Sequence, residues 1–190
     1  MRTKDEQKKE ALVEATVKLV NEIGFASSSV SKIAKAANVS PSTIYVFFEN
    51  KEDLLVSTYV ELKLKMSRAL LEGFDDRLPI RDIIKTVWFR TFDYIHDNLD
   101  DYTFMEQFAN SPYGELVDKA DLEKHFVPII DVLQRGIEQK IIKNVDINFL
   151  AAFMFHPISR LANPRMHHGF ELDEQGLETA FTMSWDAIKL

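Results

Sequence analysis

Apolar positions recur at spacings of three and four along most of the chain, which predicts a succession of helices rather than sheet. Over residues 5–23, Leu12, Ala15, Leu19 and Ile23 form one such stripe. Gly24 supplies a stop, and Phe25 is expected to fold back onto the stripe. Ser28 or Ser29 caps a short helix whose inner face is Val30, Ile33, Ala34 and Ala37. Asn38 falls at a turn, where its short side chain tolerates a left-handed backbone. Ser40 is a good N-cap and Pro41 suits the first helical position of the next short helix. In that helix Ile44 faces inward, and Phe48 is expected to anchor it to the core. Asn50 caps a long helix that starts near Lys51 and runs to about Gly73, with Asp53 placed to favour its dipole.

Beyond that point the stripes lengthen. Ile80, Ile84, Val87, Trp88, Thr91, Phe92, Ile95 and Leu99 mark one helix, and Tyr102 to Ala109 a shorter aromatic one ended by Asn110-Ser111-Pro112. Residues 118–142 carry Leu122, Phe126, Ile129, Leu133, Ile137 and Ile141, with a kink expected at Pro128. In residues 146–163, Ile147, Leu150, Met154, Ile158 and Leu161 share a face that Phe149 and Phe153 widen, and residues 173–189 carry Leu177, Phe181, Trp185 and Ile188. No segment shows sustained alternation, so the fold class is all-α: a three-helix N-terminal module followed by a larger helical domain.

Composition narrows the function classes. Hydrophobic residues make up 46% of the 190, enough for a globular core. The continuous apolar run Phe149 to Phe155 is too short to span a bilayer, and acidic residues interrupt the N-terminus before any signal-like apolar region. Cysteine is absent, which removes disulfide and thiolate chemistry and fits a cytoplasmic protein. A net charge of -7 argues at first against nucleic acid, but its distribution softens the objection. Residues 1–48 hold seven Lys or Arg against five Asp or Glu, a net of +2, whereas residues 61–190 hold 15 against 22. Such a modest surplus calls for a dimer that doubles the contacts, and for affinity that falls with salt.

The chemistry-bearing residues cluster around the second short helix. Two short helices joined by a tight turn have the spacing of a helix-turn-helix, whose second helix enters the major groove. Ser40, Ser42 and Thr43 occupy positions expected to face outward, with Tyr45 among them and Lys32 and Lys51 on either side. Hydroxyls, a phenol and amines suit phosphate contacts, and a Thr methyl can meet a thymine methyl. From Ser40 to Phe48 there is no Arg, Lys, Asn or Gln, so bidentate reading of guanine or adenine from this helix is not expected.

The segment resembles the DNA-binding domain of the TetR/AcrR family of bacterial one-component transcriptional regulators. The matching residues are Ala15, Gly24-Phe25, Ser28-Ser29-Val30, Ile33-Ala34, Ala37, Val39-Ser40, Thr43-Ile44-Tyr45, Phe48 and Lys51-Glu52-Asp53-Leu54. Asn38 stands where the family usually has Gly, Ser42 where it often has Gly, and Ser28 and Ser29 where Thr is common. The likeness is strong over about 50 residues; beyond them it supports only the size and the helical pattern. It implies a homodimer that binds double-stranded operator DNA, usually as a repressor, and lets go when a small molecule binds. On that likeness residues 1–50 are the DNA-binding domain and 51–190 the effector-binding and dimerisation domain. Tyr45 and Lys51 become the leading phosphate contacts, Ser42 and Thr43 lie nearest base edges with Ser40 beside them, and Ser29 and Lys32 touch the backbone.

The same likeness assigns the remaining apolar surplus. Trp88, Phe92, Tyr102, Phe104, Met105, Phe108 and Tyr113 are candidates for lining an effector cavity suited to an apolar or amphipathic molecule, with Arg90, Glu106 and His125 available for a polar end. Packing core is the plainer role for each of these aromatics. The last two helices are apolar enough to need cover on two sides, and the family pairs them across a dimer. Phe153, Met154, Ile158, Leu161, Leu177, Phe181, Trp185 and Ile188 are the candidates for that face.

Enzymatic readings find little support. The histidines His96, His125, His156, His167 and His168 form no HExxH or other compact metal signature, and no Gly-rich phosphate loop or nucleophile elbow occurs, so neither metal nor cofactor is called for. His167-His168, between Pro164 and Gly169, reads as a solvated loop. Two alternatives keep the fold: a protein-interaction module that has lost DNA binding, and an activator rather than a repressor.

Overall fold

The computed structural model describes residues 4–164 and 172–190. His167 and His168 lie outside them. The described residues form helices joined by turns and loops, without a strand; the β-type pairing among them is an isolated antiparallel bridge between Ile142 and Lys189. The chain divides into two compact units, the first made of Met1–Leu64 with Asp100–Lys119, the second of Lys65–Leu99 with Ala120–Leu190.

The first unit begins with α1, Lys4–Ser27, which is broken at Gly24 (φ 76°, ψ 166°). Helical geometry resumes after the break, so Gly24 is a kink rather than the expected stop. Leu12 and Ala15 are buried as the stripe requires, but Val13, Val17 and Val20 are buried too, while Ile23 is exposed. The wider buried face reflects cover on more than one side: the helix over Val30–Ala36 packs on α1, and Asn21 Nδ2 donates to the carbonyl of Asp100 at 2.8 Å. Phe25 does not return to the α1 stripe. Redirected by the kink, its ring lies 5.8, 6.1 and 5.4 Å from those of Phe104, Phe108 and Tyr113.

Next come α2, Val30–Ala36, α3, Pro41–Phe47, and α4, Lys51–Leu70. Leu12, Ala15, Ile33, Ala34, Ile44, Phe48 and Leu54 form one buried cluster that locks these elements together. At about 25 cal/mol per Å² of apolar area removed from water, each of its larger side chains contributes roughly 1.5–3 kcal/mol. The unit is completed by the part of α6, Leu99–Ala109, that follows Leu99, and by a 3-10 turn at Pro112–Leu116. Phe108, fully buried, stacks on Tyr59 of α4 at 4.5 Å.

In the second unit α5, Ile80–Asp97, packs on α8, Val127–Glu138, α9, Ile147–Ala162, and α10, Glu174–Ile188. The expected single helix over 118–142 is three pieces instead: α7, Lys119–Glu123, a 3-10 turn at Lys124–Phe126, and α8. Pro128 sits in the first turn of α8, where no hydrogen bond to its nitrogen is needed, so it opens a helix rather than kinking one. α8 ends in a left-handed residue, Lys140 (φ 57°), with Ile141 N–H bonded to the Gly136 carbonyl at 2.9 Å and Lys140 N–H to that of Ile137 at 3.0 Å. That is a Schellman stop. Ile142 then packs onto Gly136, so closely that a Cβ there would lie 2.5 Å from Ile142 Cδ1.

Candidate nucleic-acid interface

The turn between α2 and α3 is built by the backbone. Asn38 takes φ 55°, its N–H bonds the Lys35 carbonyl at 3.2 Å, and Val39 N–H bonds that of Ala34 at 2.9 Å. This is a second Schellman stop, with Asn at the position that requires the left-handed conformation. Ser40 follows in extended geometry and Pro41 starts α3 at once. Ser29 caps α2, its Oγ accepting from Lys32 N–H at 3.3 Å. Asn50 Oδ1 accepts from Asp53 N–H at 2.8 Å, while Asp53 Oδ2 accepts from Glu49 N–H at 2.8 Å, so α4 starts from a reciprocal cap.

α3 divides cleanly. Ile44 and the C-cap Phe48 are buried; Thr43 and Phe47 are half-buried; Pro41, Ser42, Tyr45 and Val46 face outward. The hydroxyls at its start bond one another, Ser40 Oγ lying 2.7 Å from Ser42 Oγ and 2.9 Å from Thr43 Oγ1. That network fixes the rotamers of three side chains at the helix entrance. Ser29, the cap, and Lys32 in α2 are exposed, with Lys32 Nζ donating to the Ser27 carbonyl at 3.0 Å. Lys51 is half-buried and its Nζ donates to the Phe25 carbonyl at 2.7 Å, a clamp between the start of α4 and the end of α1. Two of its three protons stay available. Lys35 on α2 and Val46 on α3 are exposed as well and go beyond the residues expected from the sequence; Val46 carries no polar group that would mark it there.

The residues read as effector-lining fall into both units. Trp88 and Phe92 lie in the second, in a cluster where Trp88 stacks parallel to Phe92 at 6.4 Å and meets Phe181 edge-on at 5.9 Å. Trp88 is fully buried, and its indole N–H has no acceptor among the described residues. Tyr102, Phe104, Met105, Phe108 and Tyr113 lie in the first unit; Phe104, Met105 and Phe108 are buried, and Tyr102 and Tyr113 half-buried. Of the polar candidates, Arg90 is half-buried and donates to the Leu70 carbonyl at 3.3 Å, whereas Glu106 and His125 are exposed. The second unit also has surface grooves of about 640 and 410 Å³ that share Asp76 and Arg135 and contain none of these aromatics.

On α9 and α10 the structure sorts the apolar residues. Met154, Ile158, Phe181, Trp185 and Ile188 are sealed inside their own chain, so they form the floor rather than the surface of any contact between copies. Leu161 and Leu177 are half-buried, and Phe149, Phe153 and Met183 are 64%, 61% and 69% exposed. Among the described residues no group of His, Asp and Glu could hold a metal, and no helix is long and apolar enough to cross a membrane.

Comparison with known proteins gives this geometry its family. Residues 12–58 match the model for bacterial regulatory proteins of the tetR family, and residues 79–189 match that for the tetracyclin repressor-like C-terminal domain. The chain belongs to the TetR family. It is therefore a helix-turn-helix transcription regulator, a DNA-binding protein and not an enzyme. A crystal structure of a TetR family regulator from Marinobacter aquaeolei VT8 is 32% identical and superimposes with a TM-score of 0.91 over 100% of this chain and 99% of that one. The fatty acid metabolism regulator protein of Bacillus subtilis is 28% identical over 152 residues, 77% of each chain. The structure of FadR from Bacillus subtilis in complex with stearoyl-CoA, 22% identical with a TM-score of 0.71 over 91% of this chain and 97% of that one, shares the fold.

Proposed function

We propose that this TetR-family regulator is a homodimeric repressor that leaves its operator when an acyl-chain or similar amphipathic effector binds. The observation that carries the reading is the outward face of α3, held by the Asn38 turn and the Ser40 hydroxyl network with nothing of the first unit's core packed on it. In this reading residues 1–50 are the DNA-binding domain and 51–190 the effector-binding and dimerisation domain. Ser40, Ser42, Thr43 and Tyr45 lie against the duplex, while Ser29 and the ammonium groups of Lys32, Lys35 and Lys51 meet phosphates. Such a protein acts in the cytoplasm, where the chromosome is.

The dimer face is the exposed apolar surface of α9 and α10, with Phe149, Phe153 and Met183 at its centre and Leu161 and Leu177 alongside. Exposed aromatics one helical turn apart are what an interface core uses, and two reading heads demand two half-sites. The effector class is supported by the aromatic surplus and by the name of the Bacillus subtilis relative. Trp88 is a fitting recognition group, since its unsatisfied indole N–H would welcome a carbonyl acceptor. Effector and operator then oppose each other through one coupling free energy, and about 3 kcal/mol changes DNA affinity about 150-fold.

The test is operator binding by fluorescence anisotropy, with stearoyl-CoA titrated in, alongside sedimentation of the wild type and Phe153→Glu. Release of DNA by the acyl-CoA, with a dimer that Phe153→Glu splits into monomers, is the expected result. A dimer indifferent to Phe153→Glu would remove the proposed face, and an operator affinity unmoved by bound acyl-CoA would remove the proposed effector.

A further inference from the structure

We infer that α3 selects its half-site through thymine C5-methyl groups, with Val46 as the residue that reads them and Pro41 and Tyr45 completing the apolar contact. The inference rests on the operator-binding reading and goes further, naming what in the groove is recognised. Four side chains of α3 face outward: Pro41, Ser42, Tyr45 and Val46. Val46 is 75% exposed and Tyr45 58%, so neither contributes appreciably to the core that fixes the helix. With Pro41 and Tyr45 also exposed, Val46 belongs to an apolar group on one seven-residue helix rather than standing as a lone exposed aliphatic.

The chemistry of the surface excludes the commoner ways of reading bases. Guanine is read by Arg or Lys across O6 and N7, adenine by Asn or Gln across N6 and N7, and cytosine by a carboxylate at N4. None of the four outward residues carries such a group. Glu49, the first charged side chain beyond them, follows the extended C-cap Phe48 and is off the helix. The hydroxyl of Ser42, 2.7 Å from that of Ser40, keeps capacity for one more partner but can donate or accept, so it does not by itself discriminate among bases. The one apolar feature of the major-groove floor is the thymine methyl, and an apolar side chain is its natural contact. Selection also works by exclusion. A cytosine amino group or guanine O6 pressed against Val46 would lose water without gaining a partner, which is costly.

The experiment uses the full-length protein and the operator it enriches from genomic fragments. Each thymine of the synthetic operator is replaced in turn by deoxyuridine, which removes the methyl and nothing else. Binding of wild type and Val46→Ala is measured at one salt concentration, with circular dichroism as the check on folding of the surface variant. Burial of one methyl predicts about a fourfold loss at the thymines the wild type touches, and about 15-fold when both half-sites are changed. Val46→Ala should bind the parent operator more weakly and no longer distinguish thymine from deoxyuridine at those positions. Wild-type binding indifferent to every methyl overturns the inference while leaving operator binding intact, as does a thymine preference that survives Val46→Ala. Failure to enrich any operator overturns both.

Discussion

Replacing Gly24 by alanine tests the local geometry on which the DNA-binding module depends. At φ 76°, ψ 166° this residue occupies a region open essentially to glycine alone. The kink sends Phe25 toward Phe104, Phe108 and Tyr113, exposes the Gly24 carbonyl to Ser28 Oγ at 2.7 Å, and presents the Phe25 carbonyl to Lys51. A Cβ at position 24 would meet nothing within 4 Å, so overpacking plays no part and the cost is purely conformational. Strain of about 1–3 kcal/mol, less the roughly 0.4–1 kcal/mol by which alanine restricts the unfolded chain, leaves a net loss of about 1–2 kcal/mol. For a chain of this size that lowers Tm by roughly 2–8 °C, measured by circular dichroism or calorimetry. Were α1 a straight helix through Gly24, alanine would be the better residue by about 1 kcal/mol and Tm would rise. The two geometries thus predict opposite signs, and a Tm raised in Gly24→Ala refutes the kink.

Other consequences are as direct. Lys140 holds φ 57° at the end of α8, so Lys140→Gly should stabilise by about 0.5–1 kcal/mol in urea denaturation, the left-handed penalty outweighing the added freedom of the unfolded chain. Burial and the neighbouring Asp97 raise the pKa of Asp93, with His96 opposing them. A raised folded-state value means the group favours the folded state only while protonated, and that contribution is lost as pH rises through it. Asp93→Asn should therefore raise Tm at pH 7, and the gain should fade toward about pH 3, where the carboxyl is protonated folded or unfolded. Lys35→Gln should lower the slope of log affinity against log salt by about 0.9 for each phosphate the lysine no longer neutralises, with little change in sequence preference.

Local chemistry makes the α2–turn–α3 segment readable in the sequence. Asn38, Ser40 and Pro41 each have a backbone preference that the structure uses where it stands. Pro128 has a preference too, but a proline can kink a helix or open one, and only the 3-10 turn before it decides. The place of Phe25 is not legible, because its partners lie some 80 residues away and no spacing rule connects them. The stripes of α9 and α10 look alike whether they face a core or a second copy. Met154 and Phe153 are adjacent in sequence and differ by the roughly 100° of one helical step, which buries one completely and leaves the other 61% exposed. Lys51 shows the same limit at a candidate site: its charge is legible, but its hydrogen bond to the Phe25 carbonyl depends on the kink at Gly24.

Sequence-specific operator recognition by a dimer is the property on which the proposed role depends. It is measured most directly by selecting fragmented genomic DNA from the source organism with the purified protein, then quantifying binding to the enriched fragments across a range of salt. A dimeric operator-binding regulator should recover one palindromic sequence, bound well above the non-specific background with an affinity that falls steeply as salt rises. No enriched sequence, with binding weak even at low salt, would contradict that role.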